Sequence, residues 1–284
     1  MTDNGNNSSD MQYVDDFKQR ILEQYERMDE NSEFEFNCSK GMKCFTACCG
    51  DVNIFLTPYC IIRMKNRLGI SSQEFLEKYT INPFTKTQKL PSVLLKMTPE
   101  TKRCQFVTDE GCSIYEDRPW ACRMYPLGMA SPGDDPATTG QEEFYFLMAE
   151  DVCMGVKEGG RKFKVSEWIE NQGIAPYNEM GDLFKRLCLH KLMSEIDLTP
   201  QKMEMFYTAV YNIDQFRRFI RESRFRLTYE FSDRDIEEIT SDDVKLFKFA
   251  VRWLLFGLFN EPTIKIRDEV VAAKRKAMGM DDKD

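Results

Sequence analysis

The cysteines of this chain are clustered. Four fall in the stretch from Cys38 to Cys49, at Cys38, Cys44, Cys48 and Cys49. Three more follow at Cys104, Cys112 and Cys122, and Cys153 is an eighth candidate. Thiolates that converge on one point repel each other unless a cation neutralises them. Soft sulfur donors favour zinc, copper(I) or iron–sulfur clusters. The pattern therefore points to a metal, and a metal shared between the two cysteine groups would close a long loop and contribute to folding.

The alternative is a disulfide framework, since the ten cysteines make an even number. That reading needs an oxidising compartment. The N-terminal stretch MTDNGNNSSDMQYVDD is polar and acidic, without the basic and apolar regions of a secretory signal. The most apolar run, Phe247 to Phe259, carries Lys248 and Arg252 and is too short to span a bilayer. The expectation is a soluble, cytoplasmic protein without membrane contact, whose cysteines are thiolates rather than disulfides. The net charge of −8 argues against nucleic acid as the main partner, because phosphate binding needs a basic surface. His190 is the only histidine, which excludes a multi-histidine metal site. The 16 methionines are scattered singly and read as core filling rather than as copper ligands.

The expected fold is α+β and mainly helical: a small cysteine-rich module with short β-hairpin elements, then a helical C-terminal part. Residues 1–10 read as a disordered tail. Residues 11–158 read as the metal-binding domain and 159–284 as a helical extension, with the boundary near Gly159-Gly160. Met11 to Met28 has the apolar stripe of an amphipathic helix. Ile54 to Leu56 reads as a short strand. Thr57-Pro58 starts a helix that runs to Leu68 and stops at Gly69. Ser71 and Glu74 fit a capping box for Ser72 to Tyr79. Val93 to Leu95 is a short β run. Cys104–Thr108 and Cys112–Tyr115 flank a hairpin turn at Asp109-Glu110-Gly111, which brings Cys104 and Cys112 together.

Arg118-Pro119 begins a helical turn carrying Cys122, and Pro126 ends it. Residues 131–140 read as a loop and Glu143–Ala149 as a strand. Further helices are expected behind Ser166, over Met180–Met193, from Thr199-Pro200 to Ser223, over Val244–Phe259 capped by Ser241, and over Ile264–Met278.

Eight cysteines suit two four-sulfur sites, or one site with spare thiols; sequence alone does not partition them. Cys48 and Cys49 are adjacent, and adjacent side chains generally diverge. Closed four-cysteine sites imply structural zinc. Lys43, Arg118 and Arg123 lie beside cysteines and either offset thiolate charge or serve as helix-end and surface ion pairs. Tyr115, Trp120 and Tyr125 read as packing, with a cover over the metal as the functional alternative. Cys60 and Cys188 read as buried core thiols. His190 reads as a satisfied or solvated helix residue. No Ser-His-Asp or Cys-His arrangement is available with one histidine.

The stretch from Cys112 to Pro126, CSIYEDRPWACRMYP, resembles the C-x-I-Y-x-x-R-P-x-x-C-R-x-[FY] signature of the YkgJ-like cysteine-cluster family. Cys112, Ile114, Tyr115, Arg118, Pro119, Cys122 and Arg123 all match. That family carries a CxxCxxCC motif in its N-terminal part. Here the spacing departs, while Cys48-Cys49 and Gly50 still fit. Cys153-Met154-Gly155 is similar to a later Cys-x-Gly of the family. The resemblance covers roughly residues 36–156. It implies chelation of zinc or an iron–sulfur cluster; the candidate ligands in the cysteine pattern are Cys38, Cys44, Cys48, Cys49, Cys104, Cys112, Cys122 and Cys153. The family also includes flagellin lysine N-methylases, so the resemblance carries an alternative: an iron–sulfur enzyme such as a protein methyltransferase, or a redox protein. Against it, the chain has no C-x3-C-x2-C radical signature and no Gly-rich nucleotide loop. A further reading is an interaction module whose C-terminal helices bind a protein partner.

Overall fold

The computed structural model describes residues 25–82, 90–130, 143–148 and 153–278. The tail expected at 1–10, most of the helix expected over Met11–Met28 and the loop expected at 131–140 lie outside the described residues. The chain divides into two compact units. The first comprises Met1–Cys60 and Tyr79–Glu179, the second Ile61–Lys78 and Met180–Asp284. Among the described residues helices dominate, accompanied by two-stranded antiparallel sheets, so the fold is α+β and mainly helical. No helix of the described residues is long and apolar enough to cross a membrane.

In the first unit, β1 (Glu33–Phe36) pairs antiparallel with β8 (Arg161–Lys164), placing Phe34 opposite Phe163. The alternation Glu-Phe-Glu-Phe turns both phenylalanines inward and both glutamates to solvent. Phe34 and Phe36 meet Trp168 edge-on, with ring centroids 5.7 and 5.4 Å apart. Trp168 lies on α5 (Val165–Asn171), and its indole donates to the Met124 carbonyl at 3.1 Å. Met124 ends α3 (Trp120–Met124), the turn that carries Cys122. β6 (Leu127–Ala130) follows and pairs with β7 (Phe144–Leu147). Met28 exchanges two backbone hydrogen bonds with Tyr145, at 2.8 and 2.9 Å. Met28 is thus held extended, and the helix expected to end there does not reach it. These elements enclose a core of Phe34, Phe36, Met124, Leu127, Val165 and Trp168, with Cys153 buried in it.

The remaining strands of this unit are short. β2 (Thr80–Ile81) pairs with β3 (Leu94–Leu95), and β4 (Val107–Thr108) with β5 (Gly111–Cys112). The hairpin expected around Asp109-Glu110-Gly111 is present but shorter than expected: Tyr115–Asp117 form a 3₁₀ turn instead of continuing the strand. Ile54–Leu56 contributes a single bridge, Phe55 to Leu94, rather than a strand. α4 (Met154–Lys157) starts immediately after Cys153. α5 begins at Val165, one residue before the expected cap Ser166, and Glu167 accepts from the Lys164 amide at 3.1 Å.

α1 (Pro58–Leu68) and α2 (Ser72–Tyr79) have the bounds expected from sequence. Thr57 Oγ1 accepts from the Cys60 amide at 3.3 Å, Gly69 ends α1 at φ +66°, and Ser71 Oγ accepts from the Glu74 amide at 3.1 Å. α6 (Ala175–Cys188) starts earlier than the expected Met180–Met193, because Ala175-Pro176 supplies a first-turn proline.

The second unit is built on α7 (Pro200–Val210), α8 (Ile213–Glu222), α9 (Phe225–Thr228), α10 (Asp233–Thr240), α11 (Asp243–Phe259) and α12 (Asp268–Ala277). The single helix expected behind Thr199-Pro200 is divided at Asn212. There Asn212 Oδ1 accepts from the Ser72 hydroxyl at 2.8 Å, the Ser72 amide donates to Asp214 at 2.7 Å, and the Asp214 amide donates to Ser72 Oγ at 3.0 Å. The cap of α11 is Asp242 rather than the expected Ser241; its carboxylate accepts from the amides of Val244 and Lys245. Phe206, Phe216, Phe247 and Leu254 are fully buried. Beside them lies a closed ionic network: Lys65 reaches Asp243 at 2.9 Å and Asp214 at 3.5 Å, and Arg217 bridges the same two carboxylates.

Candidate metal centre

All eight candidate cysteines belong to the first unit. Cys48 and Cys49 end a 3₁₀ turn, Ala47–Cys49, that follows Thr46 in the left-handed region at φ +63°. Arg103 holds this turn: its guanidinium donates to Thr46 Oγ1 at 2.9 Å, and Gly50 and Arg103 form a bridge. The Cys104 amide then donates to the Cys49 carbonyl at 2.7 Å, which sets the second cysteine group against the first. The β4–β5 hairpin folds Cys112 back toward Cys104, as the turn signal predicts. Cys122 arrives on α3.

The Cys38 and Cys153 segments are joined differently. The Asn37 amide donates to the Gly155 carbonyl at 3.1 Å. A Cβ on Gly155 would lie 1.9 Å from the Asn37 oxygen, so only glycine allows the two backbones to come this close. The Cys-x-Gly spacing read from sequence thus has a steric origin.

The thiols fall into two electrostatic neighbourhoods. Burial pushes the Cys38 thiol up, and repulsion from Cys48, Cys153 and Cys44 adds to it. Burial also raises the Tyr125 phenol, and its hydrogen bond to Cys153 adds to this, with Cys48 and Cys44 close enough to contribute. In the other neighbourhood, burial pushes Cys122 up to about 12, reinforced by Cys104 and Cys112 and opposed by Arg118. Cys122 keeps a solvent-exposed face while protein surrounds the rest of the thiol. Burial raises Cys104, with Cys112 adding and Arg103 opposing. It raises Cys112 too, against Arg118.

Cys49 is raised first by the proton it donates to Cys48, then by burial and by repulsion from Cys48, Cys122 and Cys104. The same hydrogen bond pulls Cys48 down. Cys48 and Cys49 touch each other, and Arg103 helps to lower Cys48.

Among the described residues, no three Cys, His, Asp or Glu side chains converge closely enough to hold a metal ion. The donor set nonetheless fits a thiophilic metal. Eight candidate thiols, with no histidine between Cys38 and Cys153, are the donors that zinc or a cluster takes. Loading a metal has to draw thiols inward and release their protons.

The arginines of the second motif do more than balance charge. Both are buried, so neither is a surface ion pair. Arg123 donates to the carbonyls of Arg118, Gln172 and Glu116 and lies over the Tyr177 ring at 4.8 Å. Arg118 stacks on Tyr115 at 3.7 Å and donates to the Tyr115 carbonyl and the Gln172 side chain. Together they fix the loop between Cys112 and Cys122. Arg118 also bears electrostatically on both thiols, whereas Arg123 bears on Cys60. Lys43 is exposed. Arg103 is the cation that sequence reasoning passed over, although it sits directly before Cys104.

Trp120 donates from its indole to Asn178 at 2.8 Å. Cys60 is buried and receives hydrogen bonds from the Thr57 hydroxyl and the Trp120 amide at 3.2 and 3.4 Å, as a core thiol should. Cys188 is half-buried at the end of α6, and burial alone pushes its thiol up to about 12. His190 stacks on Phe259 at 3.7 Å and meets Glu261 at 3.2 Å, a satisfied side chain.

Residues 37–154 match the CxxCxxCC family. Its description reads "Putative zinc- or iron-chelating domain". The matched segment contains all eight candidate cysteines and leaves out Cys188 and the helices α5 to α12. No curated protein and no solved structure matches the chain.

Proposed function

We propose that this chain is a cytoplasmic metal-binding protein that holds zinc or an iron–sulfur cluster through Cys38, Cys44, Cys48, Cys49, Cys104, Cys112, Cys122 and Cys153. One observation carries the reading: backbone hydrogen bonds join cysteine segments far apart in sequence, Asn37 to Gly155 at 3.1 Å beside Cys38 and Cys153, and Cys104 to Cys49 at 2.7 Å. Thiolates drawn together on a metal need its charge to offset their repulsion, and the family description supports the same chemistry. When bound, the metal supplies a soft cation that the thiolates neutralise. The protein's own part is positional. Arg103 and Gly155 set the loops, Arg118 and Arg123 hold the second motif, and Tyr125 donates to Cys153.

Metal analysis of the whole chain, purified without oxygen or chelator, tests this. Zinc at one or more equivalents, or iron with matching acid-labile sulfide, is expected. Protein that is metal-free and stays so on adding zinc or reconstituting a cluster contradicts it. Cys122→Ser is expected to lower metal content and thermal stability together, and Cys188→Ser to leave metal content unchanged.

A further inference from the structure

Resting on the metal-binding reading, we propose that Gln172 is a positioning residue for the metal centre, and that metal uptake depends on residues 168–178, beyond the stretch that matches the family. Gln172 acts through Arg118 and Arg123, which stand on either side of Cys122.

The end of a helix makes this possible. α5 stops at Asn171, and its last carbonyls lack partners within the helix. Gly173 then turns the chain in the left-handed region at φ +59°. Its amide donates to the Glu170 carbonyl at 3.0 Å, and the Ile174 amide donates to the Ile169 carbonyl at 3.0 Å. The turn leaves the Gln172 carbonyl to the Arg123 guanidinium, a cation placed where a helix C-terminus favours one. The Gln172 side chain is oriented by its own neighbour. Its Nε2 donates to Asn171 Oδ1 at 2.8 Å, and its Oε1 accepts from Arg118. One residue therefore serves both arginines, from its backbone and from its side chain.

The flanking residues grip the same turn. The Tyr177 hydroxyl donates to the Arg118 carbonyl at 3.2 Å, and the Tyr177 ring lies against Arg123. Asn178 accepts from the Trp120 indole at 2.8 Å, and the Trp168 indole donates to the Met124 carbonyl at 3.1 Å. Residues 118–124, which present Cys122, are thus held at Arg118, Trp120, Arg123 and Met124. Both arginines are buried, and the acceptors they use are neutral: carbonyls and one amide. A buried cation that loses an acceptor is costly, so removing Gln172 Oε1 has to shift Arg118 and the loop with it. The family match ends at 154 and brings none of the acceptors at 168–178, whereas the first compact unit runs to Glu179.

The test is zinc affinity of the whole, metal-free chain under nitrogen, by competition with a chromophoric chelator, for the wild type, Gln172→Ala and Gln172→Glu. Gln172→Ala is expected to bind zinc at least about tenfold more weakly, the lower edge of what losing a supporting contact around a metal costs. Gln172→Glu keeps an oxygen for Arg118 and is expected to restore the affinity, a rescue that a general loss of helix packing would not give.

Wild-type affinity in Gln172→Ala overturns the proposal and leaves the metal reading intact, whatever happens to the melting temperature of the metal-free protein. Equal weakening in both variants also overturns it, since the side-chain oxygen is then not what counts. Where Gln172→Ala does not fold, hydrogen exchange of the wild type decides: on zinc loading, peptides over 168–178 gain protection together with those over 112–124. Gain at 112–124 alone overturns the proposal. A wild type that takes up no metal overturns both readings.

Discussion

Gly155 and Arg123 each settle a backbone problem close to the cysteines. Gly155→Ala places a methyl group into the Asn37 carbonyl, so the Cys38 loop has to move away from Cys153. The expected result is reduced metal content and a lower melting temperature; a variant with wild-type values of both would show that the contact is dispensable. Arg123 donates to three carbonyls from a buried planar fork, a geometry that lysine cannot reproduce. Arg123→Lys should cost about 2 kcal/mol in urea unfolding, the scale of lost hydrogen bonds to a charged group. A change below the error of the measurement would contradict that role. At this scale the sequence announced which residues matter through the spacing of Cys112, Arg118, Cys122 and Arg123. What it hid was their use. An arginine beside a cysteine reads as a charge, and only folding reveals that Arg123 spends its donors on carbonyls as distant as Gln172. Arg103 was missed because its partner, Thr46, is 57 residues away.

Elements whose signals are local were legible. Thr57-Pro58 and Gly69 delimit α1, Ser71 opens α2, and Gly111 closes the hairpin, because caps and turns are written within a few residues. Elements set by distant partners were not. The β1–β8 pairing joins Glu33–Phe36 to Arg161–Lys164, and the break between α7 and α8 depends on Ser72, 140 residues from Asn212. The same region holds the Lys65–Asp214–Arg217–Asp243 network. Burial raises both carboxyls, but hydrogen bonding and charge outweigh it. The Ser72 amide, Lys65 and Arg217 hold Asp214 below the usual carboxylate range, and Lys65, Arg217 and Asn66 do so for Asp243. Groups depressed in the fold bind fewer protons there than in the unfolded chain. Their stabilisation is therefore present above pH ~4 and is lost as pH falls through the folded values. Urea midpoints should drop on acidification below that point, and Asp243→Asn should flatten the dependence. An unchanged slope in a folded variant would remove the network from the account. Lys65→Ala leaves two carboxylates facing one arginine in a buried setting and should cost about 3 kcal/mol.

At the scale of the whole molecule, the candidate ligands and the large helical core belong to different units. Metal removal should therefore act unevenly. In hydrogen exchange, peptides around Cys38–Cys49 and Cys104–Cys122 should lose protection on chelation, while α11, with its buried Phe247, Leu254 and Leu258, keeps it. Uniform loss across both units, or none in either, would contradict a metal that organises the first unit. The central claim is that thiolates of this chain hold the metal, and X-ray absorption at the metal edge of the loaded protein tests it most directly. The account predicts a first shell made of sulfur alone, at about 2.3 Å for zinc or for iron in a cluster. A first shell dominated by oxygen or nitrogen would place the metal elsewhere and contradict the account.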